Sequence, residues 1–165
     1  MKKIGLLSDT HSFFDPRLKD FFANVDEIWH AGDIGSEQVL DNLQELKPVR
    51  AVFGNTDDMA IRHRVKETER FVCEGVDVLL THIGGYPGNY DYRIKQQIIA
   101  KPPKLFICGH SHILKIMNDK EHKLLHVNPG AAGKAGFHKV QTAVRFELDN
   151  GEIKNMEVIE LNVFE

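Results

Sequence analysis

Apolar runs rich in β-branched residues alternate with amphipathic stretches through the first half of the chain, the pattern of strands joined by helical crossovers. Lys3 to Ser8 reads as a first strand. Pro16 to Asn24 reads as a helix with Leu18, Phe21 and Phe22 on one face, Asp15 as N-cap and Pro16 at its first position. Glu27 to His30 is a short buried strand. Ser36 is placed to cap a second helix through Leu46, with Val39, Leu40 and Leu43 as its apolar stripe; Pro48 stops it before a strand from Val49 to Phe53. The order so far is β-α-β-α-β.

The rhythm then changes. Arg70 to Cys73 and Val76 to Thr81 flank Glu74-Gly75, a two-residue hairpin signal, and a helix follows from about Asp91 to Ala100, ended by Pro102-Pro103. Leu105 to Cys108 reads as another buried strand. The remainder is hairpin-like: Leu114 to Asn118, Lys123 to Val127, Thr142 to Leu148 and Ile153 to Leu161, with Asn150-Gly151 as a type I′ turn signal. No repeat or linker interrupts the pattern, so the expectation is one α/β domain over 1–165, two packed sheets with helices on the outer faces.

Composition narrows the function classes. The 165 residues, 42% hydrophobic against 27% charged, are enough to bury a core without disulfides or stapling metals, so a metal site here would be functional. A net charge of −3 provides no basic stripe, which argues against nucleic acid as a partner. The apolar stretch before Ser8 is too short for a signal peptide or membrane span, giving a cytoplasmic expectation with no membrane partner. Cys73 and Cys108 sit in apolar runs without CxxC spacing and read as buried thiols. Phe137, Val163 and Phe164 are apolar positions that suit a subunit contact in a homo-oligomer.

Candidate chemistry concentrates in five short segments, each just beyond the C-terminal end of an expected strand, where open α/β folds bind ligands. They are Ser8-Asp9-Thr10-His11, Gly32-Asp33, Gly54-Asn55-Thr56-Asp57-Asp58, Thr81-His82 and Gly109-His110-Ser111-His112. An Asp-x-His pair in extended chain puts both side chains on one face, so one ion can take both. Gly32 and Gly109 let the backbone approach closely or adopt positive φ. Carboxylate, amide and imidazole donors suit Mn²⁺, Fe²⁺ or Zn²⁺ better than Mg²⁺ or Ca²⁺. Seven ligands, Asp9, His11, Asp33, Asn55, His82, His110 and His112, are too many for one tetrahedral zinc, but divide between two ions roughly 3.5–4 Å apart with Asp33 as the bridge. Singly, each fragment has a plainer reading, as turn, cap or structural histidine; their joint occurrence in one order outweighs it.

These residues resemble the calcineurin-like metallophosphoesterases, and within them the short YfcE-like phosphodiesterase branch of bacteria and archaea. The resemblance rests on Asp9/His11, Gly32/Asp33, Gly54/Asn55/Asp57, His82, Gly109/His110/His112 and Asn128/Pro129/Gly130, and covers nearly the whole chain. It implies a four-layer α-β-β-α sandwich of two mixed sheets. It also implies that Asp9, His11, Asp33 and His112 hold one ion while Asp33, Asn55, His82 and His110 hold the other. Thr56 stands where larger relatives carry His near the leaving group, and Ala131 stands where the branch tends to have Ser.

The expected function is hydrolysis of small phosphate esters by a hydroxide bridging two divalent ions, Mn²⁺ first, with Zn²⁺, Fe²⁺ or Ni²⁺ as alternatives. Asn55 and His82 would keep the ester in register, and Asp57 would orient a ligand histidine. Without a general acid at position 56, diesters or activated esters are expected over alkyl monoesters. Two alternatives remain open: a metal-binding scaffold of the same fold, and a monoesterase acting on nucleotides or phosphoproteins. His138 reads equally as a further polar group near the site or as a surface histidine; His30, His63, His122 and His126 are expected to be structural or exposed.

Overall fold

The structure, a computed structural model, describes residues 1–163, with side chains through Leu161. In chain order the first elements are β1 (Lys2–Leu7), α1 (Leu18–Phe21), β2 (Glu27–His30), α2 (Glu37–Leu46), β3 (Val49–Ala51), α3 (Met59–Arg62), β4 (Thr68–Cys73) and β5 (Val76–Thr81). There follow β6 (Gly85–Tyr86), β7 (Asn89–Tyr90), α4 (Tyr92–Ala100), β8 (Leu105–Ile107), β9 (Leu114–Asp119), β10 (Leu124–Pro129), β11 (Val140–Asp149) and β12 (Glu152–Val163).

Two five-stranded mixed sheets result, ordered β12-β11-β1-β2-β3 and β4-β5-β8-β10-β9. β1, β2 and β3 run parallel, as do β5, β8 and β10; the remaining neighbours pair antiparallel. The two-residue period of the strands sorts side chains between the layers. In β1, Ile4 and Leu6 enter the core between the sheets with Trp29, Val78, Leu80 and Phe146, while Leu7 faces outward to Leu18, Phe22 and Leu40 under α1 and α2. On the far side Leu79 and Phe106 of the second sheet meet Ile94 and Ile98 of α4. Three apolar layers separate four structural ones, which is the α-β-β-α sandwich. Trp29 sits at the centre, fully buried, with the rings of Phe71 and Phe146 edge-on at 5.0 and 5.8 Å. Such pairs contribute about 0.5–1.5 kcal/mol each beyond area burial.

Both expected hairpin turns are present. Glu74 and Gly75 have φ of 50° and 79°, Asn150 and Gly151 of 49° and 81°, the left-handed pairs a type I′ turn needs, and Gly151 N–H donates to Glu74 O at 2.7 Å. The first helix departs from expectation. It is one turn, because the Asp15 carboxylate accepts from Arg17 N–H at 2.9 Å and holds its guanidinium, and the following bonds, Leu18 to Asp15 and Lys19 to Pro16, are of i→i+3 type. Ser36 stands at the N-cap of α2, but its hydroxyl makes no capping bond. The turn of helix α3 and the small β6–β7 hairpin were not foreseen. Among the described residues no helix is long and apolar enough to cross a membrane. Phe137 is fully exposed; Phe164 and the side chain of Val163 lie outside the described residues.

Candidate metal centre

The parallel strands β1, β2 and β3 of one sheet and β5 and β8 of the other end on the same edge of the sandwich, and the loops leaving them are bonded to one another. Asp9, His11 and Ser12 donate N–H bonds of 2.9–3.0 Å to the carbonyls of Gly32, Asp33 and Ile34, and Gly109 N–H donates to His82 O at 2.9 Å. Side-chain bonds also cross between the sheets. Nδ1 of His82 meets Ala31 O at 2.7 Å, and His110 N–H donates to Asp9 Oδ2 at 3.1 Å.

Asp9, His11 and His112 form one group whose ligand atoms all lie within 4.8 Å of one another, and Asp33, His82 and His110 form a second. Each carboxylate divides its labour. Asp9 Oδ2 accepts from Ser8 Oγ at 2.7 Å and from His110 N–H, while Oδ1, fully buried, has no hydrogen-bond partner among the described residues and faces His112 Nε2 at 3.2 Å and the Nε2 atoms of His11 and His82 at 3.8 Å. Asp33 Oδ1 accepts from Thr56 N–H at 3.0 Å, while Oδ2 lies 3.1 Å from His82 Nε2 and 3.7 Å from His11 Nε2, within reach of both groups.

The convergence is not achieved as the sequence suggested. Asp9 and His11 do not share the face of an extended strand: β1 has ended at Leu7, and both have left-handed backbone, φ 53° and 44°. Asp33, His110 and His112 are also left-handed at 55°, 73° and 63°, so five of the seven expected ligands adopt a conformation that costs an L-residue roughly 1 kcal/mol or more. The loop hydrogen bonds enforce it. Close approach makes glycine necessary at two neighbours: a Cβ on Gly32, itself at φ +100°, would lie 2.6 Å from His82 Nδ1, and one on Gly109 would lie 2.1 Å from Ser8 Oγ.

Protonation states follow from these contacts. Burial alone would raise the Asp9 and Asp33 carboxyls; the adjoining His112 and His82 imidazoles and the Ser8 hydroxyl at Asp9, and His82 with Thr56 at Asp33, reverse this and hold both below the usual carboxylate range. Burial lowers His82, but Asp33 and Asp9 outweigh it and the net shift is upward. His110 is lowered by burial and by neighbouring His82. A carbonyl can only accept, so His82 carries its proton on Nδ1 and, when neutral, turns a bare Nε2 toward Asp33 Oδ2. A lone pair facing a carboxylate, beside an orphaned Asp9 Oδ1, is an arrangement that a cation satisfies. Residues and ligand chemistry therefore fit a divalent metal.

Asn55 is exposed at the lip of a cleft of about 320 Å³ that His82 also lines. Asp57 corrects an expectation. Its buried carboxylate orients no ligand histidine; it accepts N–H bonds from Ile34, Gly35 and Gly54 at 3.2, 2.9 and 2.8 Å and ties the Asp33 loop to the Asn55 loop. Ala131 is fully buried.

Three groups were missed or undervalued. His30 Nδ1 accepts from Gly32 N–H at 3.1 Å, which leaves Nε2–H to donate to Thr10 Oγ1 at 3.0 Å, and Thr10 in turn donates to Ile34 O at 2.8 Å. This neutral imidazole, held down to about 4 by burial, pins both acidic loops. Arg62 of α3 donates to Asp57 O at 2.8 Å and, at longer range, to the carbonyls of Gly54 and Asn55. Asp58, which accepts from Ile61 N–H as the cap of α3, was the signal that would have found it. His138 lies against His112, with 3.2 Å between their Nδ1 atoms.

Known proteins place the chain. Residues 1–151 match the calcineurin-like phosphoesterase superfamily domain. A protein of Methanothermobacter thermautotrophicus named "Probable metallophosphoesterase" is 35% identical over 136 residues, 78% of this chain and 76% of its own. Among solved structures, an archaeal phosphodiesterase superposes with TM-score 0.76 at 20% identity, covering 95% of this chain and 99% of that one. Wild-type Vps29 of Entamoeba histolytica in complex with Zn²⁺ superposes with TM-score 0.71 at 19% identity, covering 97% and 99%. The structural likenesses show the shared fold, and the sequence match over most of its length shows that this chain belongs to the calcineurin-like phosphoesterase superfamily.

Proposed function

We propose that this protein is a phosphodiesterase that depends on two divalent cations, one held by Asp9, His11, Asp33 and His112 and the other by Asp33, Asn55, His82 and His110. The observation that carries the reading is the pair of buried, unpartnered atoms, Asp9 Oδ1 and His82 Nε2, at the meeting point of two three-residue donor groups. When bound, such ions supply Lewis acidity toward phosphoryl oxygens and bring the pKa of water down toward about 7. The chain's own residues fix the rest. Backbone N–H groups of Thr56 and His110 and the hydroxyl of Ser8 keep the two carboxylates aimed, and His82 is held in one tautomer by Ala31 O.

Diester preference is supported by the surroundings. The cleft beside Asn55 and His82, about 320 Å³, and a second of about 330 Å³ beside Gly109 and His110 share Ile83 and Arg93 in their walls and each reaches a candidate ligand of the second cation, room for two substituents on one phosphorus. No imidazole stands at position 56, where Thr56 is exposed, so a leaving group that needs no proton is favoured. Mn²⁺ is the first cation to try. The test is a side-by-side assay of bis-p-nitrophenyl phosphate and p-nitrophenyl phosphate after chelation, with and without added Mn²⁺, Zn²⁺ or Ni²⁺. Metal-dependent turnover with the diester ahead is expected; a monoester hydrolysed much faster sinks the diester reading.

The likeness to Vps29 favours a second reading, a metal-binding scaffold. Because that protein is itself a Zn²⁺ complex, metal binding does not separate the two. Turnover does: a metal-loaded protein inert toward both esters supports the scaffold.

A further inference from the structure

We infer that His138 is a positioning residue for the metal centre, which sets the tautomer of His112 so that its cation-facing nitrogen is bare. The inference rests on the reading that Asp9, His11 and His112 hold a cation. His138 Nε2 lies 2.7 Å from Gly133 O. A carbonyl only accepts, so the proton of a neutral His138 sits on Nε2 and its Nδ1 carries a lone pair. That lone pair faces His112 Nδ1 at 3.2 Å, and a hydrogen bond between two imidazole nitrogens needs one proton between them. It therefore belongs to His112. His112 Nε2 is then unprotonated, and it is this atom that lies 3.2 Å from Asp9 Oδ1 and 3.4 Å from His11 Nε2, inside the donor group.

Left alone in water, a neutral histidine prefers its proton on Nε2, the tautomer that would block the metal-facing atom here. A partner on Nδ1 is the usual remedy, commonly a carboxylate or a carbonyl. His82 uses the direct form through Ala31 O. His112 reaches its carbonyl through an intervening imidazole. The backbone is built to bring the two rings together: Gly133 N–H donates to Asp9 O and Ala132 N–H to Ser8 O, which anchors the His138 loop to the loop carrying Asp9. A Cβ on Gly136 would lie 2.3 Å from His112 Nδ1 and 3.1 Å from His138 Nδ1, so a side chain there would occupy the space where the rings meet.

Three substitutions separate positioning from packing. His138→Phe keeps the ring and removes the acceptor; His138→Ala removes both; His138→Asn puts an amide oxygen close to where Nδ1 stood. Mn²⁺ and Zn²⁺ affinities are measured by competition with a chromophoric chelator on protein stripped of metal. Outer partners of metal-binding histidines are worth roughly 10–100-fold in affinity. The Phe and Ala variants are expected to bind one of two cations at least about tenfold more weakly and the Asn variant to recover most of the loss. A packing role would instead spare Phe. Long-range nitrogen correlation spectra of the metal-free proteins give the independent readout: His112 protonated on Nδ1 in the parent and the Asn variant, shifted toward Nε2 in Phe and Ala. Parent-like affinity in His138→Phe, or His112 protonated on Nε2 in the parent, overturns the inference. If the parent binds no cation at all, the two-metal reading fails with it, whereas loss of esterase activity alone leaves the affinities and spectra to decide on His138.

Discussion

Each acidic ligand candidate is bound at one oxygen by the chain and left open at the other, so charge and geometry can be varied separately. Asp33→Asn is nearly isosteric, retains an oxygen for Thr56 N–H and removes the charge that both histidine groups face. Its effect on cation binding should exceed that of an outer partner, on the order of a hundredfold or more. Elemental analysis after dialysis should find fewer than two ions per chain while the far-ultraviolet dichroism of the metal-free protein matches the parent. Two ions still present would remove Asp33 from the bridge. At this scale the sequence was informative about identity and silent about conformation. Asp9, His11, Asp33, His110 and His112 could be picked out because acids and imidazoles rarely gather at strand ends by chance. Their left-handed backbone is imposed by hydrogen bonds from loops distant in sequence, such as His11 N–H to Asp33 O, and no local pattern encodes it.

Among the elements, the segment from Gly54 to Arg62 does the most for the site relative to its length. Asp57 takes three backbone N–H groups and Arg62 returns from α3 to the carbonyls of the same turn, so Asn55 is presented from a loop braced at both ends. Asp57→Ala would strand three donors, two of them buried, and an unsatisfied buried N–H costs about 1–3 kcal/mol, so a fall of several kcal/mol in unfolding free energy is expected by denaturant titration. Arg62→Gln should behave differently. Its parent side chain is only half-buried, so stability should stay within about 1 kcal/mol while kcat/KM on a diester drops roughly tenfold through misplacement of Asn55. Equal losses of stability in the two variants would contradict this division. Periodicity made the long strands and α2 legible because each buries a repeating face; Ile4, Leu6 and Trp29 are examples. It could not disclose α3, whose four residues complete one turn, or the two-residue strands β6 and β7, which lack a repeat to read.

Across the whole molecule the histidines divide into groups with opposite consequences for acid stability. His30 and His126 are buried neutral and both titrate at about 4, burial being the largest cause in each. Unfolded, they take up protons near 6.5, so their neutral burial is fully favourable above that pH; stability falls as the pH drops from about 6.5 to about 4, by up to about 1.4 kcal/mol per pH unit for each. His82, raised by Asp33 and Asp9 despite its burial, has the opposite sign in the metal-free protein: its contribution is present below about 6.5 and is lost as the pH climbs through its raised value. Asp9 and Asp33, both lowered, give up theirs only as the pH falls below their ordinary range. His126 isolates one histidine's share, because neither of its ring nitrogens has a hydrogen-bond partner among the described residues and its ring packs 5.8 Å from that of Phe106. His126→Leu removes an imidazole that makes no hydrogen bond, so at pH 7.5 the variant should be within about 2 kcal/mol of the parent. Between pH 6 and 4.5 the decline in unfolding free energy of the metal-free protein, followed by urea titration at half-unit steps, should be shallower by about half. At pH 5 the variant should therefore have gained on the parent relative to pH 7.5. A slope identical to the parent's would mean that His126 does not supply the acid sensitivity assigned to it, and that His30 beneath the acidic loops carries that window alone.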